Sequence, residues 1–191
     1  MLFGLKVICG LDYRIEGQFN LPEGPILLAS KHQSAWDTII MPLIMPGAAV
    51  VLKKELTYIP FYGWYLRKYG VIAIERGRKL VAIRKMRSEA KRCLTEGRSI
   101  VIFPEGTRVQ PQTEKKFQTG VAALYRDLEI PVVPVALNSG CFWGRRSFVR
   151  KPGTITLRFL SPIRPGLDKQ TFLKTLEESI SNAQKTLDPA G

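Results

Sequence analysis

Residues 99–137 read SIVIFPEGTRVQPQTEKKFQTGVAALYRDLEIPVVPVAL. Two short β-branched runs, Ile100–Phe103 and Pro131–Leu137, are expected to be strands. Between them Val121, Leu124 and Leu128 recur on one face of a helix expected over Phe117–Leu128. The same alternation continues outward in both directions. Ile26–Ser30 follows a Pro-Glu-Gly-Pro turn and reads as a buried strand, as do Ala48–Leu52, Val71–Glu75 and Thr154–Leu160. Tyr13–Phe19 is a weaker first strand. Leu80, Ile83, Met86, Ala90 and Cys93 mark a helix closed by Gly97, and Phe172, Leu176 and Ile180 mark a last helix within 168–188. No Gly/Ser linker divides the chain. The expected fold is α/β: a single domain over 1–191 with a mixed, largely parallel sheet flanked by helices.

Composition narrows the classes of function. The hydrophobic content of 45% and charged content of 24% are those of a globular chain, which excludes a disordered or collagen-like one. The 29 Lys and Arg outnumber 16 Asp and Glu, giving a formal charge of +13. That excess asks for an anionic partner: nucleic acid, an anionic membrane surface, or a phosphate-bearing substrate or carrier. Cys9, Cys93 and Cys141 are far apart and odd in number, which fits a reducing compartment better than a disulfide framework. With His32 the only histidine, no zinc site is expected. The longest apolar stretch, Thr38–Leu52, is interrupted by Pro42, Pro46 and Gly47 and is too short to span a bilayer.

Two local patterns carry chemistry. In residues 30–38, SKHQSAWDT, His32 and Asp37 are five apart. On one regular helix they would not share a face. With His32 in the preceding loop, Ser34 as N-cap and Asp37 as N3, a capping box turns Asp37 back toward the imidazole. One reading is then a cap beside a surface histidine. The other is a general base with its orienting carboxylate, acting on a hydroxyl supplied by the substrate, since no G-x-S-x-G elbow supplies one. The second pattern is Phe103–Arg108, FPEGTR, a Pro/Gly turn at a strand end, where open α/β sheets place ligands. Its Arg108 offers a planar fork for phosphate, or only a local ion pair with Glu105.

Four blocks occur in order: H-x4-D at His32–Asp37, GVIAIER at Gly70–Arg76, FPEGTR at Phe103–Arg108 and VPVAL at Val133–Leu137. Together they resemble the glycerolipid acyltransferase family, the 1-acylglycerol-3-phosphate O-acyltransferases, over about residues 16–165. The resemblance implies a glycerol-phosphate acyltransferase-like fold. It implies His32 as general base and Asp37 as its orienter. It assigns Arg76, Glu105, Gly106, Thr107 and Arg108 to the glycerol-phosphate head, and Pro134 to the acyl-donor side. The implied reaction moves an acyl group from acyl-CoA or an acyl carrier protein thioester to the sn-2 hydroxyl of lysophosphatidic acid. Glycerol-3-phosphate, a lyso-aminolipid or another lysophospholipid is the alternative acceptor. No metal or bound cofactor is expected beyond the thioester co-substrate. Backbone N–H groups near Glu105–Thr107 are expected to meet the oxyanion. Glu75 stands where many relatives have Asp. Relatives also carry hydrophobic helices before the histidine block, whereas only 31 residues precede His32 here, so the surface is expected to supply attachment.

The charge can then be apportioned. Eight Lys and Arg lie between Arg76 and Arg92 against one acid, Glu89, and a second cluster is Arg145, Arg146, Arg150 and Lys151, interleaved with Phe148 and Val149. These clusters read as solvated faces or as a surface for anionic lipid or an acidic acyl carrier protein. The aromatic stretch Tyr58–Tyr69 reads as core packing or as a lipid-facing edge, with Phe61 and Trp64 in the leaflet and Arg67 and Lys68 at phosphates. The Ile39–Met45 run reads as core or acyl-tunnel wall. Peripheral attachment on the cytoplasmic side of a membrane is expected. No helix-turn-helix, RRM or zinc pattern supports nucleic acid as the partner. A non-catalytic anionic-lipid-binding module would keep the basic and aromatic surfaces but has no use for His32.

Overall fold

The computed structural model describes residues 2–75, 79–113 and 115–187. Its strands are β1 (Leu11–Glu16), β2 (Leu27–Ser30), β3 (Ala49–Lys53), β4 (Ile72–Ile74), β5 (Ile100–Ile102), β6 (Val132–Leu137) and β7 (Gly153–Phe159). They form one sheet in the order β1-β7-β6-β2-β5-β3-β4. The run from β6 to β4 is parallel throughout. β7 is antiparallel to β6 and parallel to β1, so the sheet is mixed but mostly parallel, as expected. β2, β5 and β6 are buried at every position, which is why they read as unbroken apolar runs rather than as alternating ones. β7 alternates instead.

The helices are α1 (Leu2–Cys9), α2 (Trp36–Ile44), α3 (Tyr62–Tyr69), α4 (Lys79–Thr95), α5 (Thr119–Leu128), α6 (Ser139–Phe142) and α7 (Lys169–Leu187). One face of the sheet is covered by Met86, Ala90 and Cys93 of α4, Val121 and Leu124 of α5, and Phe172, Leu176 and Ile180 of α7. The other face packs on Trp36, Ile40 and Met41 of α2, with Leu2 and Leu5 of α1 and Tyr69 of α3 alongside. No helix among the described residues is long and apolar enough to cross a membrane.

Element boundaries move by one to three residues from expectation, and the reasons are local. The first strand runs Leu11–Glu16 rather than Tyr13–Phe19, because Gly17 takes φ 73° and a Cβ there would overlap the Phe159 carbonyl. The aromatic stretch resolves into α3, which buries only Gly63 and Leu66 and leaves Phe61 and Trp64 exposed. α1 was not anticipated; none of its residues is fully buried, so its periodicity carries little core signal.

The topology places the site. β2 and β5 lie side by side and parallel. The chain leaving β2 passes through α2 on one face to β3, and the chain leaving β5 passes through α5 on the other face to β6. Connections that diverge from adjacent parallel strands open a crevice at their carboxyl ends. Both chemistry-bearing patterns fall there.

Candidate active site

The imidazole is built first by the β2–α2 turn. Helix α2 starts at Trp36, and Ala35 is already helical, yet the reciprocal bonds of a capping box are present. Asp37 Oδ2 accepts the N–H groups of Gln33 at 2.7 Å and Ser34 at 2.8 Å, and Ser34 Oγ accepts the Trp36 N–H at 3.1 Å. Those bonds aim the carboxylate back at the loop, where His32 Nδ1 lies 2.9 Å from Oδ2. The Ser34 hydroxyl donates to Oδ1 at 3.2 Å, and so does the Ser139 hydroxyl at 2.5 Å. Asp37 is fully buried. Every other contact of Asp37 is with a donor, so Nδ1 carries the ring proton and Nε2 presents its lone pair. The ring also stacks on Phe103, with centroids 4.2 Å apart. The structure thus contains both the helix cap and the contact between His32 and Asp37 that a base and its orienter require.

The β5–α5 turn closes on this loop. Gly106 takes φ 70°, and a Cβ there would sit 3.2 Å from Gln118 Cγ, so the turn requires glycine. His32 donates its backbone N–H to Glu105 Oε2 at 2.9 Å, and its carbonyl accepts the Val109 N–H at 2.8 Å. The histidine is thus clamped by two strand ends at once.

Glu105 differs from expectation. It is 1% exposed, and Lys31 Nζ lies 3.0 Å from its Oε1 as an ion pair outside aligned hydrogen-bond geometry. Burial pushes its carboxyl above the usual range, and the Lys31 charge opposes the shift only in part. A buried carboxylate held this way orders the loop, while Glu105 also borders the cleft that His32 faces. The ion pair of Glu105 is with Lys31 and not with Arg108, the alternative reading of this turn. The Gly106 N–H, one of the expected oxyanion donors, is committed to the Phe103 carbonyl at 2.9 Å.

A cleft of about 720 Å³ opens over this turn. His32, Thr107 and Arg108 line it, with Lys53, Lys115, Arg145 and Arg146, so cations from the end of β3, the β5–α5 loop and the loop after α6 face one space. A smaller apolar pocket of about 250 Å³ adjoins it, sharing Thr38 and Leu52. Ile39 and Pro42 of α2 and Tyr62, Tyr65 and Leu66 of α3 line that pocket, which places part of the Ile39–Met45 run on a cavity wall. Pro134 is placed elsewhere. It lies within β6 opposite Ala29, and its carbonyl accepts the Leu160 N–H at 2.9 Å. It is buried in the sheet on the same face as Val132, so its part is packing and not contact with an acyl donor. Arg76 lies outside the described residues.

Three participants were not anticipated. Ser139 reaches Asp37 across 102 positions of chain. Gln33 Oε1 accepts the Gly140 N–H at 2.9 Å, tying the same two loops. Lys31 neutralises Glu105. Ser139 follows the VPVAL block by two residues, and that adjacency was the only sequence signal available.

Proteins of similar sequence and fold point to one family. The Acyltransferase family profile matches residues 12–138. A 1-acyl-sn-glycerol-3-phosphate acyltransferase of Pseudomonas aeruginosa is 38% identical over 150 residues, covering 78% of this chain and 58% of that protein. The Saccharomyces cerevisiae protein of the same name is 31% identical over 163 residues, covering 83% of this chain and 54% of its own length. The chain therefore spans little more than half the length of these relatives. The crystal structure of the 1-acyl-sn-glycerophosphate (LPA) acyltransferase PlsC from Thermotoga maritima matches with a TM-score of 0.76 at 25% identity, over 92% of this chain and 71% of that one. With a family profile matching residues 12–138 and a relative 38% identical over 78% of its length, this chain belongs to the Acyltransferase family.

Proposed function

We propose that the chain transfers a fatty acyl group from an acyl-CoA or acyl carrier protein thioester to the sn-2 hydroxyl of lysophosphatidic acid, giving phosphatidic acid. The observation that carries this reading is the His32 ring, held through Nδ1 by the buried Asp37 and facing a cleft lined with cations. Nε2 takes the hydroxyl proton as the oxygen attacks the thioester carbonyl. The imidazolium that forms is stabilised by Asp37. The tetrahedral oxyanion develops in a cleft bordered by Arg108, Lys115, Arg145 and Arg146. Its collapse breaks the C–S bond, and the proton on His32 returns to the departing thiolate. Arg108 and Thr107 are assigned to the acceptor's phosphate, and the adjoining apolar pocket to an acyl chain. The protein works as a peripheral partner of an anionic membrane on the cytoplasmic side.

The test is thiol release from acyl-CoA, and from an acyl carrier protein thioester, with a panel of acceptors. Release is expected to depend on lysophosphatidic acid and to fall by about 10²–10⁴-fold in His32→Ala. The backbone bonds of His32 to Glu105 and Val109 do not need its ring, so the variant is expected to stay folded. A folded His32→Ala protein as active as the parent rules out the assigned base. Release stimulated only by another acceptor reassigns the substrate.

A further inference from the structure

We infer that the loop 143–151, beside the mouth of the catalytic cleft, is a membrane-docking element that seats on the interface of a bilayer containing anionic lipid. The inference rests on the proposed function in that it takes the acceptor to be a lipid drawn from that bilayer.

The loop is constructed as a display. Its neck is closed by the Lys151 N–H, which donates to the Phe142 carbonyl at 2.9 Å. Gly153 follows at φ 142°, where a Cβ would collide with the Phe142 ring, so the two sides of the neck approach closely. Within the loop, the Arg150 guanidinium lies 3.6 Å from the centroid of the Trp143 ring and donates to the Ser147 carbonyl at 2.7 Å. Arg146 occupies the left-handed region at φ 60°, a conformation that a non-glycine residue keeps only when its surroundings impose it. Arg150 is thus spent on scaffolding, and the rest of the tip is turned outward.

What the tip presents is apolar at its end and cationic around it. Phe148 is 99% exposed and Val149 is 70% exposed, with no core beneath them. Arg145, Arg146 and Lys151 are exposed beside them. A soluble partner surface does not need a fully exposed phenyl ring ringed by cations. A lipid interface does: the ring enters the acyl boundary while the cations meet phosphates. Position supplies the second argument. Arg145 and Arg146 also line the cleft that holds His32 and Arg108. A bilayer seated on Phe148 therefore abuts the cleft mouth, and a lysophospholipid reaches His32 without leaving the leaflet.

The test uses the whole chain, pelleted with vesicles of phosphatidylcholine plus phosphatidylglycerol or of phosphatidylcholine alone. A double variant, Phe148→Ser with Val149→Ser, is expected to lower partitioning about tenfold. Its turnover of long-chain lysophosphatidic acid embedded in vesicles falls in proportion, while turnover of a soluble short-chain acceptor and donor is unchanged. Arg145→Ser with Arg146→Ser lowers binding roughly fivefold per charge on the phosphatidylglycerol vesicles only. Three results overturn the inference. One is a Phe148/Val149 variant that partitions like the parent. Another is loss of binding in Phe61→Ser with Trp64→Ser while the loop variant binds normally, which moves docking to α3. The third is normal vesicle binding with a selective loss of turnover from acyl carrier protein, which makes the loop a protein-docking site. A parent that binds vesicles through Phe148 yet turns over no acceptor instead sinks the functional reading and leaves the docking surface supported.

Discussion

Replacing Lys31 by Met isolates what Glu105 does. The Glu105 carboxylate is 1% exposed, and Lys31 Nζ, 3.0 Å away, is the charge placed against it. Removing one partner of a buried pair leaves an uncompensated charge and costs about 3–5 kcal/mol at neutral pH. For a chain of this size that lowers Tm by roughly 6–20 °C. The cost depends on pH with a definite sign. Burial already holds the Glu105 carboxyl above its ordinary 4.5 in the folded protein. A carboxyl raised on folding contributes stability below its unfolded pKa and loses that contribution as pH rises through the folded value. Taking Lys31 away raises the folded value further, so the penalty is small near pH 4.5 and grows toward neutrality. Glu105→Gln removes the charge, and its amide oxygen still accepts the His32 N–H. The single Gln variant leaves the Lys31 ammonium, 11% exposed, without its partner, so it is expected to lose some stability but less than Lys31→Met, and Lys31→Met with Glu105→Gln is expected to recover most of the loss. Urea unfolding of the parent, both single variants and the double variant at acid and neutral pH measures all of this. Kinetics are read in parallel. With the loop intact, Glu105→Gln keeps KM for lysophosphatidic acid. A Lys31→Met penalty equal at both pH values, or a double variant no more stable than Lys31→Met, refutes the buried-charge argument. A large rise in KM for Glu105→Gln at unchanged stability would instead return Glu105 to the substrate.

Two further outcomes follow from single contacts. Ser139→Ala deletes a buried hydroxyl donor to Asp37 and is expected to cost about 1.5–3 kcal/mol of stability, read from urea midpoints. Because Ser139 touches the orienter and not the substrate, kcat should fall about tenfold at constant KM for both substrates; an unchanged kcat makes the hydroxyl purely structural. Arg98 donates to the carbonyls of Gly47 at 2.7 Å and of Tyr69 and Gly70 at 3.1 Å, fastening the end of α3 to the sheet. Arg98→Ala is expected to cost about 2 kcal/mol in urea, and Arg98→Lys to recover only part, since one ammonium does not reproduce the planar fork. Full recovery by Lys would mean that charge alone matters there.

The sequence by itself determined the strand–helix alternation, the local turn of Asp37 toward His32, and the excess of positive charge. Each is a local property. Apolar spacing within one segment reports its own buried face, and S-x-x-D is short enough for Asp37 to be aimed by its own turn. Charge is additive and needs no fold. Only the tertiary structure decided the strand order, the reversal of β7 and the set of groups around the imidazole. FPEGTR reads as a ligand turn or a local Glu105–Arg108 pair, but Glu105 is buried against Lys31, which comes from the neighbouring strand end. Pro134 sat in the right block and still packs within the sheet, since the strand's pairing sets which side of β6 it faces. Ser139 is marked in the sequence only by following the VPVAL block, because its partner Asp37 is 102 residues away. Arg145 and Arg146 were legible as charge but not as cleft lining, because that depends on where the loop after α6 meets the carboxyl ends of β2 and β5. Side-chain periodicity specifies which residues are buried, while the pairing of distant strands specifies what they are buried against.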